Sequence, residues 1–216
     1  AQRHFAPQCA RDKRVTMSKT FRTLDDVDVR AKRVLLRVDL NVPMENGRVT
    51  DATRLERVAP TITEISGKGG KVILLAHFGR PKGRDAKDSL KPVAEALSKV
   101  ISKPVAFADD CIGEAAAKAV AAMKDGDILC LENTRFHKEE EKNETGFVEK
   151  LAALGDIYVS DAFSASHRAH ASTEDLAHAL PAAAGRAMEK EPAYLAAALS
   201  NPARPMIAKV GGAKVS

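Results

Sequence analysis

Residues 33–43 read RVLLRVDLNVP, and this stretch decides the fold. Residues 34–38 are apolar apart from Arg37 and include β-branched side chains, which is typical of a strand buried in a parallel sheet. Pro43 has no backbone N–H to donate, so it marks the end of the extended segment. We interpret Arg37, inside the strand, as a structural residue.

Asp39 and Asn41 follow this strand with one residue between them. If the chain stays extended, their side chains share a face at the carboxyl end of the strand, where open α/β sheets bind ligands. The alternative is an Asx-turn, in which both side chains bond to their own backbone. On this stretch alone the turn is the more common outcome.

Strand-like and helical patterns alternate along the rest of the chain. The strand-like runs are 72–76, 105–108, 128–131, 157–159 and 206–210, and the helical patterns are 54–66, 90–101, 113–123, 145–154 and 192–199. This alternation predicts an α/β fold, a doubly wound parallel sheet with helices on both faces. The charge run at 138–142, KEEEK, predicts a solvated surface turn.

Composition divides the chain into four parts. Residues 1–16 match no element and are predicted to be a disordered extension, and residues 17–185 form the α/β domain. Residues 186–204 are Ala-rich and punctuated by proline, which predicts an inter-domain connector helix. Residues 205–216 hold one strand and a helix start, and we expect them to open a truncated second domain, since one strand cannot bury a face alone.

Charge and composition narrow the class of protein. The net charge is +5, but residues 1–16 carry four basic residues and one acidic residue, so the rest is only mildly basic. A mildly basic domain suits the binding of anionic metabolites. Nucleic-acid binders usually interleave basic stripes with aromatic residues, and no such pattern occurs in this sequence. No stretch is long or apolar enough to predict a membrane span, and residues 1–16 lack the apolar core of a secretory signal.

The three cysteines, Cys9, Cys111 and Cys130, lack the spacing of a metal site. We predict buried thiols in a reducing compartment, the cytoplasm.

Polar residues follow several of the predicted strands, where a core would not require them. They include His77, Gly79 and Arg80 after the second strand, Arg135 after the fourth and Arg168 after the fifth, with Arg54 at the start of the first helix. Arginine suits bidentate recognition of phosphate and carboxylate. No metal ligand set and no covalent nucleophile is predicted. Gly211, Gly212 and Lys214 open a helix after a strand and could hold an anion there.

Together these stretches resemble the phosphoglycerate kinase family. The matching motifs are RVDLNVP (37–43), DATR (51–54), HFGRPKG (77–83), LENTRF (131–136), DAFSASHRAHAS (161–172) and GGAKVS (211–216). They stand in the family's order and spacing, from about Met17 to Ser216. The stretches AHFGRPKG (76–83) and SHRAHAST (166–173) resemble bacterial members.

The resemblance implies two α/β domains, joined by a helix, that close over the substrates by hinge bending. The first binds phosphoglycerate and the second binds Mg²⁺ with ADP or ATP. The reaction is reversible transfer of the 1-phosphoryl group of 1,3-bisphosphoglycerate to ADP, giving 3-phosphoglycerate and ATP. We expect a cytoplasmic monomer with no nucleic-acid or membrane partner. The 216-residue chain is predicted to be inactive alone, because most of the nucleotide site would lie beyond Ser216.

The resemblance also implies a role for each candidate residue. Asp39 and Asn41 would hold the C2 hydroxyl and neighbouring oxygens, and the 3-phosphate would be bound by His77, Arg80, Arg135 and Arg168. Gly79 and Arg54 would complete the eight substrate-binding residues. Arg54 and Lys214 would be catalytic, on either side of the phosphoryl group in flight. Gly211, Gly212 and Lys214 would contact the nucleotide.

Two alternatives stay open. One is a non-catalytic module that binds phosphoglycerate, and the other is an α/β domain that uses the same arginines on nucleic-acid phosphates.

Overall fold

The computed structural model of the chain describes residues 21–200, with the backbone alone at 193 and 196–200. Within this part, six parallel strands form one sheet in the order β5-β6-β4-β1-β7-β8. These strands are β1 (Arg33–Val38), β4 (Lys71–Leu75), β5 (Ala106–Ala108), β6 (Ile128–Leu131), β7 (Ile157–Asp161) and β8 (Ala182–Ala184). A separate hairpin consists of β2 (Met44–Glu45) and β3 (Arg48–Val49). The predicted parallel α/β fold is confirmed.

Helices cover both faces of the sheet. They are α1 (Thr53–Gly67), α2 (Lys91–Ile101), α3 (Gly113–Ala121), α4 (Lys138–Glu141), α5 (Thr145–Ala152), α6 (Asp175–Ala179) and α7 (Arg186–Ser200). Leu36 of β1 shares one core cluster with residues of α1 and α2. Leu35, its neighbour, lies in a second cluster with residues of α3, α5 and α6. Successive side chains of a strand point to opposite faces, so β1 contributes to both cores.

Strand β1 lies inside the sheet and pairs with β4 on one side and with β7 on the other. Its residues 34–36 are fully buried, which explains the continuous apolar run. The chain leaves β1 towards β4 and returns at β7 on its other side. Ligands of open α/β sheets bind beyond the carboxyl ends of the strands at such a reversal. We therefore expect a ligand site among the residues that follow β1, β4, β6 and β7.

Several short elements were not predicted, among them the hairpin strands β2 and β3, helix α6 and strand β8. The β2–β3 hairpin turns at Asn46 and Gly47, which both have positive φ, 49° and 74°. This pair is a strong hairpin signal, because type I′ turns need positive φ at both central residues. Helix α6 and strand β8 carry weaker sequence signals. In the case of β8, Ala182–Ala184 forms a strand through its backbone pairing with β7 rather than through β-favouring side chains.

The predicted helix 192–199 begins too late. Helix α7 starts at Arg186 and continues through Pro192. Tertiary hydrogen bonds hold its first turn: Arg186 N donates to Thr61 Oγ1 at 3.0 Å, and Met188 N donates to Asp161 Oδ1 at 2.9 Å. These bonds satisfy backbone donors that a helix start leaves free, so the helix can begin before the proline.

The prediction of a solvated turn at residues 138–142 is wrong for Glu140. Residues 138–141 form helix α4, and Glu140 is completely buried while Lys138, Glu141 and Lys142 are exposed. The charge run therefore contains one buried carboxylate whose position depends on partners distant in sequence.

The predicted boundary at residue 185 falls between β8 and α7, and the division into domains stays a prediction. The predictions for residues 1–16, for Cys9 and for residues 205–216 lie outside the described residues. Cys111 and Cys130 are free and buried, as predicted. No helix between residues 21 and 200 combines the length and the apolar character needed to cross a membrane.

Candidate functional site at the carboxyl edge of the sheet

Asp39, just past the end of β1, accepts three hydrogen bonds. Its Oδ1 accepts one from Asn41 N at 3.0 Å, and its Oδ2 accepts from Arg54 Nη1 at 2.7 Å and Ser164 Oγ at 2.6 Å. Burial alone would raise the pKa of Asp39, but the bonds from Ser164 and Asn41 and the charge of Arg54 together lower it. Asp39 is thus an ionised carboxylate that joins β1, α1 and the loop after β7.

Asn41 connects the end of β1 to the turn after β4, because its Oδ1 accepts a hydrogen bond from Gly79 N at 2.9 Å. Gly79 has φ of +60°, and a Cβ there would lie 3.1 Å from an oxygen of Asp88. A glycine suits this position on both counts. The predicted Asx-turn is present for Asp39, which accepts from Asn41 N, whereas the Asn41 side chain bonds to Gly79 instead of to its own turn. Asp39 also makes contacts across the site, with Arg54 and Ser164. The two interpretations of this stretch are therefore compatible.

Arg135 extends this set of contacts to β6. It lies in a 3-10 turn at Thr134–Phe136, and its Nη1 donates to Gly79 O at 2.7 Å. Its Nε lies 3.2 Å from Glu141 Oε1, although the geometry is not that of a hydrogen bond. Burial, followed by the nearby charges of Arg168 and Arg37, lowers the pKa of Arg135.

These bonds form a continuous chain across the carboxyl edge. In order, its members are Arg54, Asp39, Asn41, Gly79 and Arg135. We call this set the edge chain. It brings together five of the eight predicted substrate-binding residues, which come from four separate segments of the sequence.

His77 is held by a buried arginine. Arg37 Nη2 lies 2.9 Å from His77 Nδ1, and because arginine can only donate, Nδ1 is the acceptor. The ring proton is therefore on Nε2, and this nitrogen forms no hydrogen bond within residues 21–200. Burial, together with the charges of Arg37 and Arg135, lowers the pKa of His77 to about 3. His77 is neutral near pH 7 and offers one N–H donor.

Arg80 and Arg168 complete the predicted cations. Arg80 is exposed, and Arg168 is half-buried with its Nε 3.3 Å from His167 Nε2. Neither forms an ion pair with a carboxylate of the described residues. The charge of Arg168 contributes to lowering the pKa of both His77 and Arg135. The other predicted residues, Gly211, Gly212 and Lys214, lie outside the described part of the chain.

A cavity of about 180 Å³ adjoins the edge chain. Its lining includes Asp39, Arg54 and Ser164, together with Asp161 of β7 and with Ala187 and Glu191 of α7. A second depression, of about 380 Å³, is lined by His167, Arg168 and His178, among others.

Asn133 and Ser164 are functional candidates that sequence reasoning did not single out. Ser164 bonds to Asp39, and Asn133 is the buried residue that caps the turn carrying Arg135. Their segments, LENTRF and DAFSASHRAHAS, were within the recognised motifs. Their sequence positions could have indicated them, because Asn133 stands directly before a turn at a strand end and Ser164 stands inside one.

One group of potential metal ligands occurs among the described residues. Potential ligand atoms of Asp110, Cys111 and His137 lie within 4.8 Å of one another. Their contacts already pair them differently: His137 Nε2 is 2.7 Å from Asp110 Oδ1, and Arg84 forms an ion pair with Asp110. Burial raises the pKa of the Cys111 thiol well above its usual value. We assign no metal to this group.

Fold and site together define a parallel α/β domain that gathers arginine, histidine and amide donors at the carboxyl edge of its sheet. This arrangement is suited to binding an anionic group.

Comparison with known proteins identifies the family. The model of the family described as phosphoglycerate kinase matches residues 24–216. The chain is 78% identical over 200 residues to phosphoglycerate kinase of Bradyrhizobium diazoefficiens and 76% identical over 200 residues to that of Rhodopseudomonas palustris. Each match covers 93% of this chain and 50% of the relative. The chain belongs to the phosphoglycerate kinase family.

Solved structures agree with this assignment. The structure of phosphoglycerate kinase from Coxiella burnetii matches with a TM-score of 0.76 at 37% identity, over 86% of this chain and 46% of that one. The enzyme from Pyrococcus horikoshii matches with a TM-score of 0.79 at 33% identity, over 86% and 47%. The chain thus spans about half the length of the relatives it matches.

Proposed function

We propose that this chain forms the phosphoglycerate-binding half of a phosphoglycerate kinase. The observation that carries the proposal is the edge chain, which joins Arg54, Asp39, Asn41, Gly79 and Arg135 in one hydrogen-bonded row. His77, Arg80 and Arg168 add donors that are not paired with a carboxylate of the described residues.

The distribution of charge supports one orientation of the bound substrate. His77, Arg80, Arg135 and Arg168 would bind the 3-phosphate, because they supply donors and three positive charges. Asp39 is ionised and would repel a phosphate, so we assign it to the C2 hydroxyl, which can donate to it. Asn41, next to Asp39, would contact the same end of the substrate.

Arg54 is proposed as the catalytic group of this half. Its side chain is 48% exposed and is held through Nη1 by Asp39, so other donors of the guanidinium stay available. Phosphoryl transfer depends on positioning and on charge stabilisation more than on a covalent helper. An arginine aimed at the transferring group would supply both. Lys214 would act from the opposite side, and Mg²⁺ with ADP or ATP would bind mainly outside the described residues.

The complete reaction, transfer between 1,3-bisphosphoglycerate and ADP, is proposed for the whole kinase. Because the chain spans about half of its relatives, we expect no ADP-dependent turnover from the 216 residues alone. Turnover by the purified chain would contradict this expectation. We also propose a cytoplasmic monomer, and the buried free thiols of Cys111 and Cys130 support a reducing compartment.

Calorimetric titration of the chain with 3-phosphoglycerate, at two salt concentrations, tests the proposal. We expect one-to-one binding that weakens as salt rises, since charge attraction contributes. Glycerate, which lacks the phosphate, is the matched control and should bind far more weakly. A folded chain, shown by a cooperative melt, that does not bind 3-phosphoglycerate would refute the preformed site. Tight binding of an oligonucleotide that 3-phosphoglycerate does not displace would favour the nucleic-acid alternative.

A further inference from the structure

Four residues form a buried chain that begins at Glu140 and reaches His77. Both carboxylate oxygens of Glu140 accept from Ser172: Oε1 from Ser172 Oγ at 2.5 Å and Oε2 from Ser172 N at 3.0 Å. Ser172 Oγ in turn accepts from Arg37 Nε at 2.9 Å, and Arg37 Nη2 donates to His77 Nδ1. We call Glu140, Ser172, Arg37 and His77 the buried relay.

The burial of the buried relay makes its bonds energetically important. Glu140 and Ser172 are 0% exposed and Arg37 is 1% exposed, so water does not compensate for a missing contact. A buried guanidinium needs a counter-charge. Direct ion pairing of Arg37 with a carboxylate does not occur within residues 21–200, and Glu140 stands one hydroxyl group away. Ser172 bonds to both charged groups, so the position of Glu140 determines the orientation of Arg37 through Ser172.

The buried relay also crosses the fold. Glu140 lies in α4, Ser172 lies between β7 and α6, Arg37 lies in β1 and His77 follows β4. Additional bonds hold Ser172: its carbonyl accepts from the hydroxyl of buried Tyr158 at 2.9 Å. The Arg37 guanidinium is further fixed by the carbonyl of Val38. All three guanidinium nitrogens of Arg37 and both carboxylate oxygens of Glu140 are therefore hydrogen-bonded.

We propose that Glu140 and Ser172 are positioning residues for His77, holding Arg37 so that the imidazole accepts at Nδ1 and presents Nε2–H to the bound anion. The inference rests on the proposed phosphoglycerate site, because His77 would donate to its phosphate. The low pKa of His77, about 3, agrees with this arrangement, since protonation of Nδ1 would place a proton against the Arg37 donor.

The ¹⁵N spectrum of histidine-labelled wild-type chain gives the first test. We expect His77 to be neutral, with the proton on Nε2, throughout about pH 5 to pH 8. A protonated ring, or a ring with the proton on Nδ1, would overturn the inference. This measurement needs neither a ligand nor a variant.

Variants then separate positioning from structural support. Ser172→Ala removes the hydroxyl between the two charges, and Glu140→Gln removes the counter-charge. In either folded variant we expect the His77 ring to exchange between tautomers and the affinity for 3-phosphoglycerate to fall at least tenfold. Glu139→Gln removes the same charge from a partly exposed position of the same helix, and it should behave as wild type.

The outcomes distinguish this inference from the proposed function. If the folded variants lose stability but keep the wild-type His77 spectrum and affinity, Glu140 is only a structural counter-charge and the inference is wrong. If wild-type chain does not bind phosphoglycerate, the proposed function fails, while the His77 spectra still decide the positioning role. If Glu140→Gln does not fold, Ser172→Ala and the wild-type spectrum carry the test.

Discussion

Asn133 forms two hydrogen bonds with the backbone of Phe78: its Oδ1 accepts from Phe78 N at 3.1 Å and its Nδ2 donates to Phe78 O at 2.8 Å. Asn133 is fully buried, and it follows β6, whereas Phe78 follows β4. The pair therefore holds the turn that carries His77, Gly79 and Arg80 against the turn that carries Arg135. The site is built on this contact between two neighbouring strand ends.

Replacing Asn133 with alanine should destabilise the fold. The change removes the partners of Phe78 N and O and of Asp88 O, to which Nδ2 also donates at 2.9 Å. Each buried group left unpaired costs roughly 1–3 kcal/mol, so we expect a loss of at least about 3 kcal/mol in urea unfolding. Asn41→Ala, at an exposed position with one side-chain bond, is the control and should cost less than about 1.5 kcal/mol. Equal losses would show that the Asn133 contacts add nothing specific.

Arg168→Ala should weaken binding of 3-phosphoglycerate without unfolding the chain. Arg168 is half-buried and is not ion-paired within residues 21–200, so its loss should change the free energy of unfolding by less than about 0.5 kcal/mol. Loss of a charge-assisted hydrogen bond should cost roughly 1.5–3 kcal/mol of binding, measured by calorimetry. Arg30→Ala, which removes an exposed arginine before β1 at the opposite end of the strands, controls for the loss of one positive charge. A lower melting temperature with unchanged affinity would make Arg168 a structural residue.

Asp39→Ala should reduce affinity for 3-phosphoglycerate more than affinity for inorganic phosphate. Removal of the carboxylate takes away the acceptor proposed for the C2 hydroxyl and releases Arg54 and Ser164. The arginines proposed for the 3-phosphate remain in place. Displacement titrations with both ligands measure the difference. If both ligands lose affinity equally, Asp39 acts on the phosphate end and the proposed direction of the substrate is wrong.

Stability should fall as pH decreases below about 6.5, in part because of His77. Its pKa is about 3 in the folded chain and 6.5 ordinarily, so in this window the unfolded chain binds one more proton. The contribution is complete above the unfolded pKa and diminishes by up to about 1.4 kcal/mol per pH unit below it. His77→Gln should flatten the profile of unfolding free energy between about pH 6.5 and pH 5. Parallel profiles would mean that His77 protonates in the folded chain.

Arg186→Ala should loosen the start of α7. Arg186 binds Glu64 of α1 through Nε and Nη2, each at 2.7 Å, and also contacts Asp25 and Glu189. Partly exposed pairs contribute up to about 1 kcal/mol each, so we expect a loss of roughly 1–2 kcal/mol and faster amide exchange in α7. Arg57→Ala removes the more exposed Arg57–Glu191 pair of the same two helices. We expect it to have little effect, and an equal effect would argue against a special role of Arg186.

Sequence patterns predicted the main strands well because a buried parallel strand needs an apolar run. The runs at 34–38 and 128–131 lie within β1 and β6, and the one at 72–76 differs from β4 by one residue at each end. The β2–β3 hairpin was missed although Asn46 and Gly47 mark its turn, and strand β8 was missed because its side chains carry little information. Ala182–Ala184 becomes a strand only because the backbone of β7 is available beside it.

Some features of the candidate site were likewise predictable from the sequence, and others were not. Motifs and strand ends located Asp39, Arg54, His77 and Arg135, since polar residues after a buried strand are unusual in a core. They did not indicate that Glu140 is buried. KEEEK has the composition of a solvated segment, and only its contact with Ser172 accounts for a carboxylate without exposure.

The sequence by itself determined the alternating α/β architecture, the family and the residues available at the carboxyl edge, because these depend on local patterns and motifs. The tertiary structure alone decided the edge chain, the tautomer of His77 and the buried relay that reaches Glu140. The reason is physical: a hydrogen bond or a desolvated charge depends on partners that are far apart in sequence and meet only when the sheet is assembled.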